Sequence, residues 1–246
     1  MVDTGWRLGE PLLTFKSLDS TSAYLKRLAE QKPCYGTVVW ALSQEAGYGQ
    51  RGRTWVSPAG SGLYFSMLLP PDWGTTALPF VIGLGCVDAL RVWVPELRLK
   101  WVNDLVCHGR KLGGILVEKG RCGVVVGIGI NWIAPRTFHL SGIDAIGMRE
   151  LADDVPDDEQ VLLGLLDALA RRLRQWQEVG FEVIRAEWSA CSVTLGCDVR
   201  VVDGQGVVEG RAIALGEQGQ LMIACADGTI VPVVTGTVRT LSGAYC

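Results

Sequence analysis

Three short segments hold residue types suited to chemistry on anions. The first, Gln44-Glu45-Ala46-Gly47-Tyr48-Gly49-Gln50-Arg51-Gly52-Arg53-Thr54-Trp55, interleaves glycines with arginines. Glycine lets backbone amides approach an anion closely, and a guanidinium adds permanent charge and a planar fork of donors for phosphate or carboxylate. The spacing of Gly47, Gly49 and Gly52 imitates a dinucleotide-binding fingerprint, but no helix opens directly after it, so that reading fails on placement. The second segment is Lys100-Trp101-Val102-Asn103-Asp104-Leu105 and the third is Lys111-Leu112-Gly113-Gly114-Ile115-Leu116. Both are expected at strand ends, where the Lys111 ammonium beside exposed glycine amides suits charge developing on a phosphoryl group. Asn103 and Asp104 offer the oxygen ligands that magnesium prefers. Taken singly, each segment also has an ordinary reading: Asn-Asp as a turn, Gly-Gly as flexibility, a lysine as a solvated charge.

Positioning these segments takes a framework of alternating helices and strands. Apolar residues Leu25, Leu28 and Ala29 recur at helical spacing after Ser20 or Asp19, which predicts a capped helix over Ser20–Gln31. Strands are predicted at Thr37–Leu42 and Leu63–Leu69, with the glycine-rich segment as a long loop between them. Pro79–Val94 is apolar nearly all round, as in a helix buried against a sheet, and Pro95 lies just past its end. Three short strands follow at Arg98–Val102, Gly114–Glu118 and Gly123–Ile130, and their short connections imply antiparallel pairing. A long helix over Asp158–Val179 puts Val161, Leu165, Leu169, Leu173 and Trp176 on one face, and its Arg171, Arg172 and Arg174 are read as cations offsetting the helix dipole. After about Trp188 the pattern changes to five short strands, Asp198–Val202, Val207–Leu215, Leu221–Ala226, Thr229–Val234 and Thr237–Leu241, which predicts a small closed barrel of SH3-like size.

Bulk properties narrow the function classes. The chain has 246 residues and a net charge of −3, so it shows no overall basic footprint for nucleic acid or an anionic membrane. The apolar runs are too short to span a bilayer. The N-terminal stretch from Asp3 to Arg7 has no apolar signal core, which points to the cytoplasm. Cys34, Cys86, Cys107, Cys122, Cys191, Cys197, Cys225 and Cys246 form no CxxC pair, and with only His108 and His139 beside them no zinc site has ligands at the usual spacing. The thiols are read as small buried hydrophobes.

In combination, the segments resemble the biotin protein ligase family, whose signatures are a GRGRxGRxW loop, a KWPNDL segment, a KLGGIL segment and a GIGxN strand. This chain reads GYGQRGRTW at Gly47–Trp55, KWVNDL at Lys100–Leu105, KLGGIL at Lys111–Leu116 and GIGIN at Gly127–Asn131, in that order. The Ser20-Thr21-Ser22 helix start looks like a further family motif, so the resemblance covers nearly the whole chain. It implies an α+β fold: a mixed, mainly antiparallel sheet packed with helices, class II synthetase-like, over residues 1–190, then an SH3-like barrel over 191–246. Eleven residues precede Leu12, so the winged-helix DNA-binding domain of bifunctional members is not expected, and DNA is not an expected partner.

The resemblance also implies the site. Ser20, Thr21, Ser22 and Gln44 are expected to hydrogen-bond biotin's ring, and Gly47, Tyr48, Gly49 and Gln50 to close over its carboxylate, with Lys111, Gly113 and Gly114 beside it. Arg51, Gly52, Arg53, Trp55, Asn103, Lys111 and Asn131 are expected to hold ATP, with Asn131 at the adenine edge, and Trp55 and Trp101 as apolar walls. Lys111, Arg51, Arg53 and Asp104 carry the catalytic roles, Asp104 by placing Mg²⁺ or orienting the acceptor lysine. The implied reaction forms biotinyl-5′-AMP from biotin and MgATP and passes biotin to a lysine of the biotin carboxyl carrier protein of acetyl-CoA carboxylase. A monomer or weak homodimer is expected to perform it.

Rival readings are a lipoate protein ligase, separated by substrate choice and by the KWVNDL and KLGGIL segments, and a non-enzymatic nucleotide-binding regulator, separated by ATP consumption with biotin. A DNA repressor lacks its helix-turn-helix here. The chain departs from the family's usual pattern at Tyr48 and Gln50, which replace arginines, and at Val102, which replaces proline. Loss of a charge-assisted bond to an acyl phosphate costs about 1.5–3 kcal/mol, so the adenylate is expected to be held less tightly here. Gln50→Arg is accordingly expected to slow adenylate release in a chase experiment; an unchanged dissociation rate contradicts this.

Overall fold

The computed structural model describes residues 7–134, 144–204 and 206–241. Asp3, His139 and Cys246, which entered the sequence arguments, lie outside the described residues. Seven strands build the larger sheet: β1 (Leu12–Phe15), β2 (Val38–Ala41), β3 (Gly62–Leu69), β4 (Arg98–Lys100), β5 (Asp104–Cys107), β6 (Arg110–Lys119) and β7 (Val124–Asn131). Their order is β1-β2-β3-β7-β6-β5-β4. Only β1 and β2 run parallel, and every other neighbouring pair is antiparallel.

Helices cover the two faces of this sheet unequally. On one face lies α1 (Thr21–Gln31), capped by Ser20, whose hydroxyl accepts from the Ala23 amide. Its Leu25 and Ala29 pack on Val39, Leu68 and Val125. On the other face lies α2 (Leu78–Leu90), nearly all of whose side chains are buried, backed by α3 (Asp158–Val179) and α4 (Phe181–Cys191). Successive strand residues point to opposite faces. Hence Val124, Val126, Ile128 and Ile130 of β7 enter the main core under α2, while Val125, Gly127 and Gly129 face the α1 side. Because α1 is short, it covers Val125 and Leu68 but leaves the sheet beyond them open, and that uncovered face becomes the floor of the cavity described below.

A second antiparallel sheet holds β8 (Asp198–Val202), β9 (Val207–Leu215), β10 (Leu221–Ala224), β11 (Ile230–Val233) and β12 (Thr237–Thr240), in the order β11-β10-β9-β8-β12. Its Val199, Val201, Leu221, Ile223 and Val238 belong to the same apolar cluster as the main core. Trp101 fastens the two parts together. Its indole Nε1 donates to the Gly219 carbonyl at 3.0 Å, and its backbone amide donates to the buried Thr194 Oγ1 at 3.0 Å.

Several expectations need correction. Strand β1, strand β5 and helix α4 have no counterpart in the sequence reading. β1 is a short strand half-covered on the sheet edge, and β5 is only four residues long. The strand expected over Arg98–Val102 ends at Lys100. Lys111 is the second residue of β6, but Gly113 and Gly114 lie further inside it, paired to strands on both sides, so their amides are not exposed for an anion. The arginines of α3 do not occupy its last turn. Arg172 bridges Asp88 of α2 at 2.5 Å and Glu187 of α4, and is a cross-brace between three helices. Trp176 is half-buried at the margin of the core, where it packs edge-on against Trp73. Of the described cysteines, Cys86, Cys107 and Cys191 are buried, but Cys34 is exposed.

The Thr194 contact gives a direct stability test. Thr194→Val keeps the shape but leaves the Trp101 amide without its acceptor in a dry interface, which costs about 1–3 kcal/mol. A lower denaturant midpoint at unchanged slope is expected; an unchanged midpoint contradicts the assignment.

Candidate active site

A cavity of about 640 Å³ lies on the open sheet face, roofed by the glycine loop and flanked by the second sheet. The four motifs meet here because β5, β6 and β7 are neighbours and the loop joins β2 to β3 across the same face.

Glycines make the floor. An added Cβ on Gly129 would lie 2.6 Å from the Trp55 indole, and one on Gly114 would lie 3.3 Å from both Trp55 and Lys111 Nζ. Gly114 and Gly129 are cross-strand partners, so together they clear a flat patch on which Trp55 rests. Gly127, one same-face step along β7, does the same for Ser22: a Cβ there would meet the Ser22 hydroxyl at 2.6 Å. These glycines are needed for the space they leave, not for flexibility.

One end of the cavity is uncharged and rich in hydrogen-bonding groups. Thr21 Oγ1 lies 2.8 Å and Ser22 Oγ 2.9 Å from Ser66 Oγ, which is fully buried in β3. The Thr21 amide and hydroxyl donate to Gln44 Oε1 at 2.9 and 3.2 Å, and Gln44 Nε2 donates to Ser57 Oγ at 2.9 Å. Ser20 is spent mainly on capping α1, yet it also borders this end. The other end is cationic. Arg51, Arg53, Lys100, Lys111 and Arg239 line the wall, and among the described residues Asp104 is its one carboxylate. Lys111 Nζ sits 2.6 Å from Asp104 Oδ1 and 5.3 Å from the centre of the Trp55 ring, where the two ends meet.

The roof is a narrow hairpin. Trp55 donates its amide to the Gly47 carbonyl and Gly49 to Arg53, each at 2.8 Å, with Tyr48 paired to Thr54. Gly47 is obligatory because a Cβ would lie 2.6 Å from the Trp55 carbonyl. At the tip, Arg51 and Gly52 both adopt left-handed backbone, with φ of 59° and 70°. That conformation costs a non-glycine residue roughly 1–2 kcal/mol. It aims the Arg51 guanidinium at the hydroxyls of Thr235 and Thr237, both at 3.3 Å, while Arg53 reaches Thr237 at 2.8 Å. The second sheet therefore completes the wall.

The expected residues do not all reach the cavity. Ser20, Thr21, Ser22, Gln44, Tyr48, Gly49, Gln50, Arg51, Arg53, Trp55, Trp101, Asn103, Asp104, Lys111 and Gly114 line it. Gly47 and Gly113 support from behind, with a Cβ on Gly113 blocked by the Gly129 carbonyl at 2.7 Å. Gly52 faces a shallower hollow outside the hairpin. Asn131 is buried behind the wall, where its amide nitrogen donates to the carbonyls of Lys111 and Ile146. It thus fixes the backbone that carries Lys111. The sequence reading gave no role to Ser66, Lys100, Thr237 or Arg239. Ser66 had a legible signal, the one small polar side chain among the large apolar and aromatic residues of the strand Gly62–Leu69.

A sheet face cleared by glycines, roofed by an arginine hairpin, and divided between hydroxyls and cations suits a ligand with an uncharged polar part and an anionic part. Residues 14–132 match the biotin/lipoate A/B protein ligase family, and residues 194–239 match the biotin protein ligase C-terminal domain. The chain is 33% identical over 237 residues to the bifunctional ligase/repressor BirA of Escherichia coli (strain K12), an alignment covering 92% of this chain and 72% of that protein. It is 33% identical over 242 residues to the biotin–[acetyl-CoA-carboxylase] ligase of Mycobacterium tuberculosis, covering 93% and 87%. Among solved structures, the biotin protein ligase from Aquifex aeolicus in complex with biotin and ATP superimposes with a TM-score of 0.82 at 31% identity, covering 93% of this chain and 98% of that one. The chain belongs to the biotin protein ligase family.

The floor is open to a direct test. Gly129→Ala is expected to lift Trp55 off the sheet, shifting the indole N–H resonance of Trp55 while the other tryptophan resonances hold. An unmoved Trp55 signal contradicts the packing assigned to the glycine patch.

Proposed function

We propose that this chain joins biotin to ATP in the cavity and then passes the biotinyl group to a lysine of a carrier domain of acetyl-CoA carboxylase. The observation that supports this best is the division of one cavity into a hydroxyl-rich end and a cationic end that meet at Lys111. A ureido ring, with one carbonyl and two N–H groups, matches the Thr21, Ser22, Ser66 and Gln44 cluster. A lipoyl ring offers no such groups and gives these hydroxyls no partner beyond one another and Gln44, a mismatch that polar sites reject strongly. The match to the biotin-specific C-terminal domain favours the same choice.

In the first half-reaction a biotin carboxylate oxygen attacks the α-phosphorus of MgATP, and pyrophosphate leaves. Lys111 is placed to balance charge growing on the α-phosphate, and the arginines and Lys100 to draw the polyphosphate into the cationic end. In the second half-reaction the acceptor amine attacks the biotinyl carbonyl, and AMP leaves. No side chain of the enzyme needs to become covalently bound. Magnesium fits as a passenger on the nucleotide. The wall offers one carboxylate, and among the described residues no group of three or more His, Cys, Asp or Glu is placed to hold a metal. Such a sparse set suits an ion that keeps its waters and its phosphate ligands. Asp104, held 2.6 Å from Lys111, is proposed to orient that ammonium until substrate charge takes its place.

Incubating the chain with biotin, MgATP and a carrier domain is expected to raise the carrier's mass by one biotinyl group, with no gain when lipoate replaces biotin. A lipoyl gain, or none, overturns the reading. Lys111→Ala is expected to slow biotin-dependent pyrophosphate exchange by about a hundredfold or more with little change in melting temperature. Exchange at the wild-type rate contradicts the role of Lys111.

A further inference from the structure

The roof hairpin is fastened at its tip by exposed hydroxyls, as described, but its root is held differently. Tyr48 projects to the side of the sheet where α1 and β6 approach each other. Its hydroxyl donates to Glu118 Oε2 at 3.0 Å and accepts from Lys26 Nζ at 3.2 Å, and Lys26 pairs with Glu118 Oε1 at 2.6 Å. The Lys26 ammonium also lies 5.6 Å from the centre of the Tyr48 ring. The three groups form a closed ring of donor and acceptor contacts across three separate elements. Glu118 stands two same-face steps along β6 from Gly114, so this ring lies just past the uncharged end of the cavity.

We propose that Lys26, Tyr48 and Glu118 are positioning residues that latch the hairpin root to the sheet before any ligand arrives, so that the tip alone has to move for entry and release. An arginine is the usual residue of the family's loop at this position. Here it would put a second cation beside Lys26 with one carboxylate to share, whereas a phenol hydroxyl satisfies both partners without adding charge. Burial pushes the Tyr48 phenol above its ordinary value, which keeps it a donor to Glu118. For Lys26, burial alone acts downward, but the bonds to Glu118 and Tyr48 outweigh it and the ammonium is held above its ordinary range. The side chains of Lys26 and Glu118 are only 30% and 26% exposed, so solvent screens the pair incompletely.

Amide hydrogen exchange on the unliganded full chain tests the latch, and it stands whether or not the pocket takes biotin. In Tyr48→Phe the Gly49 and Trp55 amides of the hairpin are expected to exchange roughly five- to tenfold faster, with β3 and β7 amides unchanged. Tyr48→Arg is expected to loosen the hairpin at least as much, and adding Lys26→Met to it is expected to restore protection by freeing Glu118 for the new cation. Release of biotinyl-5′-AMP, which does rest on the ligase reading, is expected to accelerate in parallel with hairpin exchange. Wild-type hairpin exchange in both Tyr48→Phe and Glu118→Gln overturns the latch. A uniform rise that includes β3 and β7, or no restoration by Lys26→Met, does so as well.

Discussion

Everything at this site depends on a stretch of sheet surface having no side chains. A helix longer than α1, or any residue larger than glycine at positions 114, 127 and 129, would fill the space above β6 and β7 with protein. The floor is then flat enough for the Trp55 indole to lie on it and for Ser22 to come within contact of the backbone. With those two groups in place, the hydroxyl end over Gly127 and the ammonium of Lys111 beside Gly114 lie about one same-face step apart, on the order of 7 Å along a strand. That distance suits a ligand with a polar ring at one end and an anion at the other.

The charges follow from the same geometry. Five cations face one carboxylate around the wall. This excess disfavours an empty cavity and favours a polyanion, because like charges brought together in a recess relieve their repulsion by binding a counter-charge. Asp104 answers part of that need for Lys111, and the hydroxyls of Thr235 and Thr237 provide neutral resting places for the arginines of the tip. Each of these contacts is readily exchanged for a phosphate oxygen. The root of the hairpin, by contrast, is tied by the Lys26, Tyr48 and Glu118 contacts past the uncharged end, so opening at the tip need not release the root.

Much of this was legible in the sequence, and what was not has physical reasons. The long helix over Asp158–Val179 and all five late strands were readable because capping acids, a Gly180 stop and regular alternation act locally. The four motifs, three of them glycine-bearing, marked the site for the same reason: their spacing is local even though their meeting is not. Helix α4 was missed because it follows Gly180 without a capping side chain, and β5 because four residues are too few to show a period. The purpose of Gly113 and Gly114 was misread. A sequence shows that a side chain is missing, but only the pairing of β6 with β7 shows which neighbour, Trp55, takes its place. Arg239, Thr237 and the Lys26–Tyr48–Glu118 ring were out of reach of any local pattern, since their partners lie 22 to 186 positions away or across the second sheet.

The account is tested most directly by a crystal structure of the chain bound to biotinyl-5′-AMP. The ureido ring is predicted to lie among Thr21, Ser22 and Ser66, the linkage over Trp55, and the phosphate within hydrogen-bond distance of Lys111 Nζ. A phosphate held elsewhere, with Lys111 still paired to Asp104 and the glycine floor bare, would contradict it.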